Sequence, residues 1–516
     1  MSKSLFKSTS IVISMTMISR VFGFIRDMVT AHFFGAAAAF DAFSIAFRIP
    51  NFMRRLFAEG SFSQAFVPVL SEYQKKQSQE NTQHFINAIA GTLGVSLFVI
   101  TLLGMLGAPW VIRLFAPGFQ TSGERFDLAV TMLRINFPYL MLISLTAFSG
   151  AILNTYSRFW VAAFTPVFLN LCMIGTTLWL SPKLTTPILG LAWGVLIAGL
   201  VQLAFQIPFL KTLHLLPRPQ INFKDPGVRR VLKLMVPALF GVSVGQINLL
   251  VDSVFASLLV VGSVSWLYYS DRLMEFPLGV FGVAISTVIL PHLSRHHATQ
   301  SQESFSLTLD WALRAVLLVG IPATVFLAVI SGPLLSTLFQ HGRFDAHSVL
   351  MARQSLSAFA IGIAPFMLVK VLAAGFYAKQ DMRTPVRVGV IAMVSNMVFN
   401  ASLIWPLAHA GIALSTSLAA IINTSFLFYF LRKRGLYQPR EGWKVFAIRI
   451  SIANILLAFW LWVASGDLTS WTMHAALWRV NHLVFLVVSS AIIYFGALWL
   501  SGVRLHHLLM PEQQMA

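Results

Sequence analysis

Ionisable side chains interrupt long apolar runs at three places in this 516-residue chain. One run carries Arg20, Arg26 and Asp27; the next carries Asp41, Arg48, Arg54, Arg55 and Glu59; a later one carries Asp271, Arg272 and Glu275. A charge in hydrocarbon costs roughly 2.5–3.5 kcal/mol on insertion scales, so such groups face water or protein. Arg20 and Asp27 stand seven residues apart, as do Asp41, Arg48 and Arg55, a spacing that returns to one face of a helix. Asp271 and Glu275, at i and i+4, flank Arg272. Pro50 and Pro277 fall beside two of the clusters, where freed backbone groups are tolerated if they line a cavity. The chemistry this predicts is capture of an anion in a cationic, hydrated chamber. Arginine suits phosphate because its planar fork donates two parallel hydrogen bonds and stays charged. The interleaved acids limit the positive charge of the empty chamber, and Trp266, Tyr268 and Tyr269 are placed to line it.

A second polar set comprises Asp252, Asn396, Asn400 and Thr416. One carboxylate with neutral oxygens is a ligand mix that a small hard cation accepts, and the alternative is hydrogen bonding between helices. The cation reading would couple work to Na⁺ or H⁺. No G-x-x-x-x-G-K-[ST], H-E-x-x-H or G-x-S-x-G pattern occurs, so nucleotide, zinc and serine chemistry lack their marks. The expectation is a protein that is not an enzyme, needs no cofactor, and draws on ion gradients or the membrane potential.

The elements that must carry these groups are membrane helices. Hydrophobic residues make up 57% of the chain and charged residues 11%, against about 25% charged in ordinary globular domains. Spans are predicted near 10–34, 37–57, 84–114, 127–154, 159–181, 186–210, 230–259, 263–292, 309–338, 350–377, 384–406, 409–432, 443–466 and 479–502, about fourteen in all. The segment 58–83 is a longer connection able to form a surface helix, with 73–82 solvated. A net charge of +19 would suggest nucleic acid on a soluble protein. Here Lys and Arg gather in alternate connections, such as Lys75 and Lys76, Lys211 to Arg230, and Arg432 to Lys444. That is the positive-inside pattern, and it places both termini in the cytoplasm and excludes a nucleic-acid partner. The start reads as an uncleaved first helix, and the single Cys172 excludes a disulfide framework.

Self-similarity recurs at about 220 residues, with 190–211 against 411–432, 65–71 against 288–294, and Thr-Pro-Val at 165–167 and 384–386. This predicts an all-α polytopic protein with two parallel six-helix lobes around a central cavity and two extra helices. The divisions are an N-terminal lobe at 1–210, a cytoplasmic linker at 211–229, a C-terminal lobe at 230–432, and two further helices with a tail at 433–516.

The stretches SMTMISRVFGFIRD (14–27), DAFSIAFRIPNFMRRLFAEGSFSQAFVPVLSEY (41–73) and SVSWLYYSDRLMEFPLGVFGVAISTVILPHLS (263–294) resemble the MurJ (MviN) lipid II flippases. GAILNTYSRF (150–159) and GFYAKQDMRTPV (375–386) extend the likeness over essentially the whole chain. The resemblance implies the multidrug/oligosaccharidyl-lipid/polysaccharide exporter fold, in the bacterial inner membrane. It implies transfer of undecaprenyl-pyrophosphate-linked peptidoglycan precursor, lipid II, to the periplasmic leaflet by alternating access. It carries essential cavity arginines onto Arg20, Arg26, Arg54 and Arg272, and further polar positions onto Asp41, Asn51, Glu59, Ser265, Asp271 and Glu275. Arg48 joins the set on helical spacing. The resemblance also implies a lipid-tail groove in 443–502, with membrane phospholipid and cell-wall synthesis proteins as further partners. The rivals are a flippase for another lipid-linked polysaccharide unit, a cation-coupled drug antiporter, which would want an acidic chamber, and a scaffold, which has no use for intramembrane charge.

Overall fold

The computed structural model describes residues 3–121, 123–279, 289, 292–293 and 302–503, with side chains described except at 3–13, 57–59, 240–242 and 244–245. Among the described residues there are helices and no strands. Two compact units divide the chain, Met1–Val264 and Ser265–Ala516.

The first unit holds α1 (Lys3–Phe34), α2 (Ala38–Met53), α3 (Ser63–Lys76), α4 (Gln79–Leu106), α5 (Ala108–Phe115), α6 (Gly123–Thr155), α7 (Phe159–Phe164), α8 (Pro166–Gly175), α9 (Leu189–Thr212) and α10 (Pro226–Ser257). The second begins in α11 (Ser263–Pro277). It continues with α12 (Gln302–Val329), α13 (Ser331–Phe339), α14 (Ala346–Ala360), α15 (Ile363–Ala378), α16 (Arg383–Lys433), α17 (Trp443–Ser465), α18 (Leu468–Met473) and α19 (Ala476–Leu500). Nine helical stretches among the described residues are long and apolar enough to cross a membrane. The span expected at 263–292 runs partly outside the described residues.

Helix starts follow capping chemistry. Ser78 accepts from the Asn81 N–H at the head of α4, and Asp225 accepts from Val228 N–H at 3.0 Å where Pro226 opens α10. The spans expected at 384–406 and 409–432 follow one another in α16 as two helical limbs, broken where Ala408 takes a non-helical φ of 48° just after Pro406. The expected linker differs in two ways. Residues from Pro226 onward already belong to α10, and α10 packs within the first unit, against α3, α4 and the stretch after α2. The linker before it is strapped to α4: the N–H groups of Arg218 and Gln220 donate to the Asn87 side-chain and backbone oxygens, at 2.8 and 3.0 Å. Gly91 makes the approach possible, since a Cβ there would stand 2.3 Å from the Gln220 backbone.

The first unit's packed interior gathers Phe62, Phe66, Phe85 and Phe148 with Leu70, Ile89 and Val231. In the second, α17 and α19 pack on α12 through Leu457, Leu461, Leu486 and Tyr494. This pair is fastened at two points. Asp310 on α12 accepts from Tyr437 Oη and Trp443 Nε1, both at 2.7 Å, and Arg479 donates to the Ser336 carbonyl at the end of α13, also at 2.7 Å. Large apolar side chains face outward, with Trp405 86% exposed and Leu500 79%. An all-helical chain with apolar side chains outside is what a lipid solvent selects, because helices satisfy every interior backbone group.

Candidate functional site

The charged positions of the first unit lie on α1, α2 and the stretch beyond it. Pro50 was expected to interrupt the second helix; instead helical turns run on through Met53 and widen into a π-helix over Arg54–Phe62. The chain then continues as α3, so the connection expected over 58–83 is largely helix, with Gln74 to Asn81 exposed. Wide turns of this kind are frequent at functional sites. This one carries Arg54 and Arg55, both half-buried. Arg54 donates from Nε and Nη2 to the Asn51 Oδ1, at 2.9 and 2.7 Å, which fixes the guanidinium's orientation from one turn back. The side chain of Glu59 lies outside the described residues.

Arg20 is exposed on α1, whereas Arg26 and Asp27 are buried at 6% and 2%. Helical spacing put Arg20 and Asp27 on one face. The structure pairs Asp27 with its neighbour: Arg26 Nε and Nη2 donate to Asp27 Oδ1 at 3.0 and 2.7 Å. Arg26 Nη1 donates to Asn170 Oδ1 on α8 at 3.0 Å, and Asn170 Nδ2 returns to the Ser19 carbonyl at 3.1 Å. Asn170 therefore holds α1 and α8 together around a buried ion pair. It was legible in principle as an amide in an otherwise apolar run.

On α2 the shared face of Asp41 and Arg48 turns to α10 and the turn after it. Arg48 Nη1 donates to Ser253 Oγ at 2.5 Å. Asp41 is fully buried; its Oδ2 accepts from the Gly262 N–H at 2.7 Å and stands 3.9 Å from Arg125 Nη1. Arg125 in turn lies over the Phe119 ring at 4.8 Å. Ser253, Gly262 and this use of Arg125 carried no sequence signal, because each acquires its partner only across the fold. Asp252 is half-buried on α10.

In the second unit, Arg272 Nη1 donates to Glu275 Oε2 at 3.1 Å and its guanidinium stands 4.9 Å from the Tyr268 ring centroid, over its face. Arg272 remains 28% exposed and Glu275 45%, an ion pair open enough to exchange partners. Asp271 is half-buried and Ser265 fully buried. Of the aromatics expected beside this cluster, Tyr268 is there. Trp266 packs at a tilt against His409, with ring centroids 4.9 Å apart, and Tyr269 packs on Phe339 and Phe344. Ser270 Oγ stands 2.8 Å from both the Trp266 carbonyl one turn back and the Ala352 carbonyl of α14, either of which accepts its proton.

Of the second polar set, Asn396, Asn400 and Thr416 come together in α16. Asn400 Nδ2 donates to Asn396 Oδ1 at 3.0 Å, and Asn396 Nδ2 to Thr416 Oγ1 at 3.3 Å. Both asparagines are fully buried, and the Asn396–Thr416 bond joins the two limbs of α16. Among the described residues no group of three or more His, Cys, Asp or Glu could hold a metal ion.

A multi-pass helical membrane protein that sets arginines into its bilayer spans has the architecture of a transporter. Two relatives match nearly end to end. A probable lipid II flippase MurJ of Haemophilus influenzae is 48% identical over 96% of this chain and 99% of its own. A lipid II flippase MurJ of Burkholderia cenocepacia is 41% identical over 97% and 98%. The solved lipid II flippase MurJ in an inward closed conformation superposes with a TM-score of 0.77 at 26% identity, covering 93% of this chain and 97% of that one. An inward-facing MATE family transporter of the MOP superfamily shares the fold, with a TM-score of 0.66 at 12% identity over 82% and 97%. The family model for lipid II flippase MurJ matches residues 30–482. The chain belongs to the MurJ lipid II flippase family.

Proposed function

We propose that this chain carries lipid II from the cytoplasmic to the periplasmic leaflet of the bacterial inner membrane, with both termini in the cytoplasm and fourteen crossings. The observation that carries the reading is near-complete alignment with relatives named lipid II flippase, on a chain with arginines inside its spans. A pyrophosphate cannot enter hydrocarbon bare. Arg20, Arg48 and Arg54 of the first unit and Arg272 of the second are the groups that take the head group, while the polyprenyl tail stays in lipid, against the apolar faces of α17 and α19. Arg54, held by Asn51, presents a preset fork, and Arg272 exchanges Glu275 for phosphate oxygens. Arg26 and Asp41 contribute by holding α1 and α2 in place, with their polar groups turned to Asn170 and Gly262.

Binding and release replace covalent chemistry in this reading. A head group that two conformations of the chain bind unequally meets the condition for ligand-driven alternating access. Moving a two-state balance from 1:99 to 99:1 takes about 5.5 kcal/mol of such difference, within reach of a few charge-assisted hydrogen bonds. The membrane potential or a Na⁺ or H⁺ gradient supplies direction, and phospholipid and cell-wall synthesis proteins are the surrounding partners.

The test is lipid II exposure at the periplasmic face of cells depleted of their own flippase and complemented with this chain or its Arg272→Ala form. Restoration by the wild type alone supports the reading. Failure of a well-inserted wild type would turn the assignment to another lipid-linked saccharide.

A further inference from the structure

Rings from three helices of the second unit meet on one indole. The Trp266 ring of α11 stands 4.9 Å from that of His409 on α16, at a tilt, and 5.8 Å from that of His347 on α14, edge to face. Trp266 and His409 are buried, whereas His347 is exposed in the first turn of its helix. His409 Nε2 stands 2.9 Å from the Met351 carbonyl of α14. A carbonyl only accepts, so this nitrogen carries the proton of the neutral ring and Nδ1 carries none. The turn that delivers His409 is strained. Ala408 takes φ 48° and ψ −128°, a region alanine rarely enters, and such a conformation persists only where neighbouring contacts over-determine it. The adjoining contact is the docking of His409 on Met351 and Trp266. A Cβ at Gly411 would stand 2.3 Å from the Leu403 carbonyl, so the two limbs of α16 close tightly here.

The buried face of α11 holds Trp266, Tyr269 and Leu273, while Tyr268, Arg272 and Glu275 share another face at helical spacing. A clamp on the Trp266 ring therefore sets where Arg272 points. Few ionisable groups could answer a charge on His409. Its own helix has no other from Val388 to Phe428. On α14 and the turn before it stand His341, Arg343, Asp345, His347 and Arg353, and α11 adds Tyr269 and Asp271. Asp345, the only acid between Gln340 and Ala360, is exposed; it caps α14 by accepting from the Ser348 N–H at 2.8 Å, and its charge interacts with His347. No charged side chain acts on His409 itself. An imidazolium there is a buried charge with a new N–H at Nδ1 and no acid opposite, and a charged His347 beside the same indole adds repulsion.

We propose that His409 is a proton-sensitive positioning residue for transport. Neutral, it docks on Met351 and Trp266 and holds the face of α11 that carries Arg272; protonated, it undocks, the strained turn relaxes, and transport slows. This rests on the reading of the chain as a carrier with both termini in the cytoplasm, which puts the 406–409 turn and the starts of α11 and α14 on the periplasmic side. The medium sets the pH there, whereas the cytoplasm is buffered, so the device ties delivery of the precursor to external acidity.

The experiment follows lipid II exposure in flippase-depleted cells complemented with the full chain. It is run at external pH of about 7.5 and about 5.5, between which an imidazole near 6.5 passes from about nine-tenths neutral to about nine-tenths charged. The wild type loses transport roughly threefold or more on acidification, within the ceiling of about tenfold that such a titration sets. His409→Gln keeps a donor for the Met351 carbonyl and cannot charge, so it stays level. His409→Phe keeps a ring against Trp266 and stays level too, since the Met351 carbonyl lies within α14 and keeps its helical partner. His347→Phe leaves the fall in place. A purely structural role for His409 would instead scale transport down equally at both values. A level wild type, a fall that survives in both His409 variants, a fall that only His347→Phe removes, or inserted His409 variants that transport at neither value each overturn the inference. A well-inserted wild type that restores no exposure at either value overturns the carrier reading itself.

Discussion

Replacing Arg26 by alanine separates structural charge from transporting charge. Arg26 makes two hydrogen bonds to Asp27 Oδ1 and one to Asn170 Oδ1, all where the side chains are 7% and 3% exposed. Arg26→Ala leaves the Asp27 carboxylate in that site without its adjacent guanidinium. Breaking a buried pair from one side costs about 3–5 kcal/mol, two to three and a half powers of ten in folding equilibrium. Arg26→Ala/Asp27→Ala removes both charges and leaves mainly Asn170 short of a donor, about 1–3 kcal/mol. The double variant is thus expected to be the more stable by about 2 kcal/mol, a coupling that a double-mutant cycle reads directly. Membrane abundance and thermal unfolding in detergent provide the stability arms, and lipid II exposure in flippase-depleted cells provides the functional one. A well-folded double variant that transports assigns Arg26 to scaffolding alone; one that is folded and inactive assigns it to the head group as well. The reasoning is refuted if Arg26→Ala melts like the wild type, or if the double variant is no more stable than the single one.

The other expectations follow from equally local geometry. Arg20→Ala and Arg272→Ala abolish transport at normal membrane levels, whereas Lys75→Ala, on an exposed stretch, leaves it intact; immunoblots beside the transport assay check both halves. Gly91→Val drives a side chain into the Gln220 backbone, so it lowers the melting temperature and opens 213–225 to protease. Gly94→Ala, with nothing within 4 Å, does neither. For Asp381, partial burial raises the carboxyl pKa, but hydrogen bonds from Thr384 and Arg434 together with the Arg434 charge win and hold it at about 2. A folded pKa below the ordinary 3.8 means stabilisation present at neutral pH and lost as pH falls from about 4 toward 2, a loss that Asp381→Asn removes from the pH profile of unfolding. Transport by Asp252→Ala, compared in sodium-free and sodium-containing buffer, tests sodium coupling; equal loss in both counts against it.

Much of this protein was legible before any fold was known, because lipid constrains a chain more severely than water does. Apolar runs of span length dictate helices, and Arg20, Arg48 and Arg272, read on helices from composition and spacing, lie on α1, α2 and α11. The seven-residue interval that put Asp41 and Arg48 on one face held, and that face meets α10 and the turn beyond it. Partner choice was another matter. Helical spacing put Arg20 and Asp27 on one face, yet Asp27 bonds its neighbour Arg26, which also bonds Asn170 on α8. Three prolines around 217–226 suggested that α10 opens a new lobe, whereas it packs into the first unit, where Gly91 lets the preceding strap lie flat on α4. Periodicity reports which face of a helix a residue occupies and which solvent surrounds it. What stands opposite that face is set by contacts between distant segments, and these appear only when the helices pack.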